Sequence, residues 1–263
     1  MISKERKEYL KNNRKRKILI HSLRLMILAL FFLIWEILAR LDIIDTFLLS
    51  SPSKVIETLI KLWNNNNLLN HIFTTLKEII ISFIIGNIIG FIIASILWFS
   101  EIIHKILEPY LTIINSLPKV ALGPLIIILF GANIRSVIIM ALLISTIISI
   151  MYIYTAFSNT DENRIKIIKS MGGNKFDIFY RLVVPLNIKV IIDSFKINIS
   201  MCFVGVIMGE FLVSKNGIGY LINYGSQIFN MNLVITGIII LILLTILLYS
   251  LISLLEKKTN KDL

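Results

Sequence analysis

Apolar residues run through this chain in blocks too long to be one face of a soluble helix, and short polar stretches separate them. The hydrocarbon core of a bilayer, about 30 Å thick, takes about 20 apolar residues as helix to cross. An unpaired backbone amide there costs several kcal/mol, so helix is the expected form. Six blocks meet that test, near residues 19–39, 72–97, 110–130, 136–156, 188–212 and 233–255. An even number of crossings puts both termini on one side. Between the first two blocks, "TFLLSSPSKVIETLIKLWNNNNLLN" opens a helix at Ser-Pro-Ser, gathers Val55, Ile56, Leu59, Ile60 and Trp63 on one face, and ends at Asn64 to Asn67. That pattern predicts a short amphipathic helix lying at the membrane interface. Pro118 and Pro124 predict a break or kink in the third block.

One interruption is unlike the others. "KIIKSMGGNKFDIFYRLVVP", Lys166 to Pro185, is basic and carries two adjacent glycines. Upstream, Thr160 is a candidate N-cap, Asp161 and Glu162 fall in the first turn, and Lys166 and Lys169 near the last, as the helix dipole favours. Gly172 and Gly173 should stop this helix, glycine being at ease in the left-handed conformation of a C-terminal cap. A second amphipathic helix follows, with Phe176, Phe179, Tyr180 and Val183 at helical spacing, and Pro185 is expected to close it before the fifth block. Ile165, Ile168 and Met171 share a face of the first helix that something must cover. The chain's own bundle and a separate protein both meet that need.

Composition supports a membrane solvent, with 56% hydrophobic and only 16% charged residues. The formal net charge of +11 does not point to nucleic acid, because the apolar runs leave no soluble fold to carry a basic face. Its distribution is informative instead. Eighteen Lys and Arg lie on the side of the N-terminus and of the 166–185 interruption, against four on the other, which predicts cytoplasmic termini and a cytoplasmic interruption. The basic stretch before Ile18 resembles a signal peptide's start, but the apolar block after it is long and "RLDIIDT" offers no small-x-small cleavage site, so it is expected to be retained. The resulting organisation is a basic cytoplasmic segment 1–17, a single transmembrane domain 18–256 with a cytoplasmic segment about 157–187, and a cytoplasmic tail 257–263. A lone Cys202 and three scattered histidines, His21, His71 and His104, supply neither a disulfide nor a metal cluster. No catalytic, metal or cofactor residues are expected, and G-x-x-x-x-G-K-[ST], which would hold nucleotide phosphates, is absent.

Polar groups within the blocks are the candidates for a transport path, since each is costly there unless paired or facing water. They include Asn87, Ser145, Thr146, Ser149, Ser194, Asn198 and Ser200. Serine and threonine also bond back to helix carbonyls, and Gly86–Gly90 and Gly205–Gly209 fit close helix packing. Pro118 and Lys119 join the set at the break in the third block, where the lysine could attract an anion or reach to lipid phosphate. Glu210 stands beside "NGIGYLI", where it could face the path or cap and pair locally.

The interruption resembles the cytoplasmic signature of the membrane subunits of binding-protein-dependent ABC importers, a glutamate-alanine-alanine start, a glycine and a closing hydrophobic-proline. Gly172 and Pro185 stand at the family's spacing. "SPSKV", "EPYLTIINSLPKVALGPLIIILFG" and "GEFLVSKNGIGYLI" look like the subgroup that handles nitrate, aliphatic sulfonates, taurine and related small solutes. The resemblance covers about Trp35 to Leu255. It implies an all-α type I importer permease of six transmembrane helices in the prokaryotic inner or plasma membrane, forming a homodimer. Two copies of a separate ATPase subunit would bind ATP and Mg, an extracytoplasmic protein would deliver solute, and this chain would carry no cofactor. It further implies that Ile165, Lys166, Ile168, Lys169, Met171, Gly172, Gly173, Phe176 and Pro185 form a coupling segment seated on the ATPase. In one respect the chain departs from the pattern, having Lys166-Ile167-Ile168 where the family has glutamate-alanine-alanine. The rival expectation, a secondary transporter or channel acting alone, calls for carboxylates buried in the spans, and Glu36 is the clearest one in the sequence.

Overall fold

The computed structural model describes residues 4–65 and 67–259. The rest of the basic segment 1–17 and of the tail 257–263 lies outside the described residues. All regular structure among the described residues is helical, in the order α1 (Lys4–Arg40), α2 (Thr46–Leu49), α3 (Pro52–Asn64), α4 (Asn67–Phe99), α5 (Glu101–Ser116), a 3-10 turn (Lys119–Leu122), α6 (Gly123–Phe130), α7 (Ile134–Ser158), α8 (Glu162–Ser170), α9 (Lys175–Ile178), a π-helical turn (Phe179–Val183), α10 (Val184–Val213), α11 (Ile218–Gln227) and α12 (Met231–Thr259). Five of these segments are long and apolar enough to cross a bilayer, and α5 with the turn and α6 makes a sixth, bent by 89°.

Proline chemistry sets that bend. Leu117, before Pro118, is forced into extended backbone (ψ 139°), which ends α5. Pro124 breaks nothing, because it sits in the first turn of α6, where no amide hydrogen is needed. Pro185 overturns the sequence expectation. It does not close a helix; the chain continues from Lys175 to Val213 as one long helical segment. The π-helical turn before it accounts for this. Val184 donates to the Phe179 carbonyl five residues back, a wider turn that makes room for the proline ring. By contrast, α3 forms as expected, with Ser51 as its N-cap, Pro52 at its first position and its last residue at Asn64.

At the centre α7 packs between α4 and α10 through small residues. A methyl group added at Gly90 would fall 2.6 Å from the Ser149 hydroxyl, one at Gly86 3.0 Å from that of Ser145, and one at Gly209 2.8 Å from the Val137 Cα. Such close approach is how apolar helices gain contact when lipid is as greasy as they are. Core residues from α4, α7, α10, α11 and α12, among them Ile79, Val137, Cys202, Val206, Ile218 and Ile240, fill the remainder. The apolar side chains of α1 between Ile18 and Ile37 are largely exposed. Glu36 ties that helix down by accepting from Arg40 Nε (2.8 Å) and from the Ser53 backbone (3.1 Å) and hydroxyl (2.6 Å) at the start of α3.

At one end of the bundle α11 folds back into it. Gly217 turns the chain with φ +109°, and its amide donates to His71 Nδ1 at 3.0 Å. Ile218 N–H donates to the Thr75 hydroxyl (2.8 Å), which itself donates to Glu210 (2.6 Å), and Gly219 N–H donates to the other oxygen of Glu210. The helix start is thus capped by side chains from α4 and α10.

Candidate functional site

The loop between α7 and α10 lies beside the far end of α4 and is built to be rigid. Asp161, not Thr160, caps α8, accepting from Asn163 N–H at 2.9 Å. Thr160 is buried instead, and its hydroxyl accepts from Asn187 Nδ2 of α10 at 3.0 Å. At the other end of α8, Gly172 adopts φ +83° and donates to the Lys169 carbonyl, while Gly173 donates to that of Ile168, each at 3.0 Å. Together these are the paired bonds of a Schellman stop. The two glycines are needed for different reasons. Gly172 supplies the left-handed backbone with open space around it, whereas a side chain at Gly173 would meet Ile168 Cγ2 at 2.5 Å. Asn174 then begins α9 in a reciprocal capping box with Asp177.

What fixes this loop to the bundle is aromatic. Phe179 is buried, its ring 4.9 Å from Phe99, 5.1 Å from Trp98 and 5.4 Å from Phe157. Lys175 Nζ donates to the Phe99 carbonyl at 2.7 Å and lies 5.7 Å from the Trp98 ring centre. Ile165 and Ile168 pack partly against the same cluster. The apolar side chains left uncovered are Ile167, Met171, Phe176 and Tyr180, the last three 74–82% exposed. Lys166 and Lys169 flank them in solvent, Lys166 reaching back to Glu162 at 3.9 Å.

Residues 86–261, which include this whole loop, match the family described as the binding-protein-dependent transport system inner membrane component. The chain belongs to that family of ABC importer permeases. A probable ABC transporter permease of Haemophilus influenzae is 27% identical over 86% of this chain and 91% of its own length. The formylaminopyrimidine transport permease ThiX of Halalkalibacterium halodurans is 29% identical over 87% and 92%, and the putative aliphatic sulfonates permease SsuC of Bacillus subtilis 23% over 90% and 86%. Among solved structures, the MetNI methionine ABC transporter in an inward-facing form superposes with a TM-score of 0.65 at 15% identity, covering 74% of this chain and 95% of that one, a likeness of fold. Permeases of this family are multi-pass membrane proteins that work with separate ATPase subunits and binding proteins.

Of the polar residues picked out within the spans of this permease, Asn87 and Asn198 meet each other. Asn198 Nδ2 donates to Asn87 Oδ1 at 2.8 Å across the α4–α10 contact, and Asn87 Nδ2 donates to the Phe83 carbonyl at 2.7 Å. Ser145 and Ser149 are buried against Gly86 and Gly90. Glu210 caps α11, and Glu78, which sequence reasoning missed, is buried with its carboxyl beside that of Glu210. Pro118 marks the bend, and Lys119 Nζ donates to the Asn115 carbonyl at 2.9 Å. Open space lies elsewhere. A trough of about 570 Å³ runs between the end of α5, the second half of α7 and the start of α10, lined by Asn115, Met151, Tyr152, Thr155, Asn159 and Asn187 among others. The sequence carried a signal for it, since Tyr152, Thr155 and Asn159 form a polar stripe at helical spacing on an otherwise apolar helix.

Proposed function

We propose that this chain is the membrane subunit of an ATP-driven importer for a small solute, and that the loop from Asp161 to Pro185 is its coupling segment. One observation carries the reading. The loop satisfies its own backbone and still leaves Ile167, Met171, Phe176 and Tyr180 in solvent beside Lys166 and Lys169, a surface suited to the groove of a second protein. Two ATPase copies bind ATP and Mg, this chain holds no cofactor of its own, and closure of those copies moves the loops of a permease homodimer. Rocking of the spans follows, with solute arriving from an extracytoplasmic binding protein. Both termini and the loop are cytoplasmic in this scheme, as the distribution of Lys and Arg favours. The names of the relatives put sulfonates, taurine and vitamin precursors among the candidate solutes.

Cross-linking tests this directly. Cys202, the chain's single cysteine, is buried, so Met171→Cys introduces a thiol at an exposed position. In membranes holding the whole transporter, a short bifunctional thiol reagent should join that position to the ATPase subunit, with a yield that changes when ATP is trapped on the partner. Labelling of the same thiol from outside intact cells by a membrane-impermeant reagent would refute the scheme.

A further inference from the structure

We propose, resting on the importer reading above, that the solute moved along the α5–α7–α10 trough is an uncharged, polar, ring-bearing molecule and not an anion. The lining is the basis. Asn115, Asn159 and Asn187 present amides, Thr155 a hydroxyl, Tyr152 an aromatic face and Met151 a polarisable thioether, while among the described residues no charged one lines the trough. Amides both donate and accept, which suits the mixed edge of a nitrogen heterocycle. Asn187 already spends its Nδ2 on the Thr160 hydroxyl and the Val183 carbonyl, leaving its Oδ1 as the group to offer. Tyr152 is 37% exposed and also lines an adjoining hollow of about 490 Å³, so a planar solute could stack on it along the way.

The charges nearby do not make an anion site. Lys119 lies at the trough's edge, its Nζ donating to the Asn115 backbone carbonyl at 2.9 Å with the Asn115 Oδ1 3.5 Å away, and Lys196, in the adjoining hollow, lies 3.4 Å from Asp193. A smaller hollow of about 150 Å³ on the far side of Met151 and Thr155 adds Glu108, 3.7 Å from His104. A sulfonate would therefore shed water into a trough whose described lining carries no charge to replace its hydration, whereas an uncharged ring loses little on entry.

The test is uptake by the complete complex, permease with its ATPase and binding protein, in proteoliposomes enclosing ATP. The probes are radiolabelled formylaminopyrimidine and butanesulfonate. We expect the pyrimidine to accumulate at least about tenfold faster than the sulfonate. Tyr152→Leu, which removes the aromatic face, should lower pyrimidine uptake about tenfold. Faster or equal uptake of butanesulfonate would overturn the proposal, as would uptake of neither probe, or pyrimidine uptake left unchanged by Tyr152→Leu. Accumulation that proceeds without ATP would instead overturn the importer reading, and the ratio of the two probes would still report the class of solute.

Discussion

Two loops interrupt the apolar bundle, and each contains a short helix set by a glycine at positive φ. At α11 the helix borrows its caps, because His71, Thr75 and Glu210 reach in from α4 and α10 to meet its first amides. The α8–α9 loop caps itself. Its Schellman stop, its Asn174–Asp177 box and its Asp161 cap all lie within a few residues of the groups they satisfy. A helix capped by its neighbours is clamped to them, since moving it strands buried polar groups. One that closes its own hydrogen bonds is held to the bundle by packing, here through Phe179 and Lys175, and is free to turn other apolar side chains outward. The first arrangement is a clasp; the second leaves uncovered the apolar surface that the proposed coupling needs.

Removing a borrowed cap should give the largest effect. Glu210→Ala strips the acceptor from both the Thr75 hydroxyl and the Gly219 amide, and it leaves the Glu78 carboxyl without its buried partner. At about 1–3 kcal/mol for each stranded group, a loss of about 3 kcal/mol or more is expected. Denaturation of the detergent-solubilised chain would measure it, and hydrogen exchange should quicken at Ile218 to Tyr220. Unchanged exchange there would mean that α11 is held by its apolar contacts alone.

Gly172→Val should cost less and act differently. Nothing lies within 4 Å of an added side chain, so the penalty is confined to the left-handed backbone, about 1–2 kcal/mol. Membrane insertion should persist while the ATPase co-purifies poorly, because the turn that aims Phe176 is lost. Full ATPase retention by a folded Gly172→Val protein would break the comparison, since the local stop would then not be what positions the surface.

Tyr180→Asp moves the effect wholly from stability to partnership. The side chain is 81% exposed, and substitutions at such positions stay within about 0.5 kcal/mol. Binding to the ATPase should fall by at least about tenfold, as for a central aromatic contact. A drop in thermal stability of the isolated permease would show instead that Tyr180 packs on its own chain.

The sequence was most legible where one residue's chemistry acts on its immediate neighbours. Ser51 and Pro52 start α3 and Leu117–Pro118 breaks the third crossing, and both outcomes depend on local backbone sterics. Legibility failed at Pro185, where a π-helical turn of five residues before it absorbs the ring, an accommodation that depends on Phe179 and Val183 being anchored in the core. It failed again for the exposed face of α8. Helical spacing grouped Ile165, Ile168 and Met171, but only the tertiary position of the Phe99–Phe179 cluster turns the first two inward and leaves Met171 with Ile167 outside. Glu78 was missed for a similar reason. Beside Lys77, inside the predicted second span, it carried no local sign of a partner, and its place next to Glu210 exists only once α4 and α10 are packed.

The smallest structural perturbation tests what the Lys166-Ile167-Ile168 departure does. Lys166 is 70% exposed and its ion pair to Glu162 is long at 3.9 Å, so Lys166→Glu should leave folding unchanged. Around it Arg164, Lys169, Lys175 and Arg181 outnumber Asp161, Glu162 and Asp177, which makes the uncovered face basic at its rim. A groove that fits this face is acidic, so reversing the charge at 166 should weaken ATPase association and flatten its dependence on salt. Titration of the ATPase onto the wild-type and variant permeases at two ionic strengths would measure both. Tighter binding by the variant would show that the groove keeps the family's preference for glutamate, and that the remaining basic residues face lipid headgroups instead of the partner.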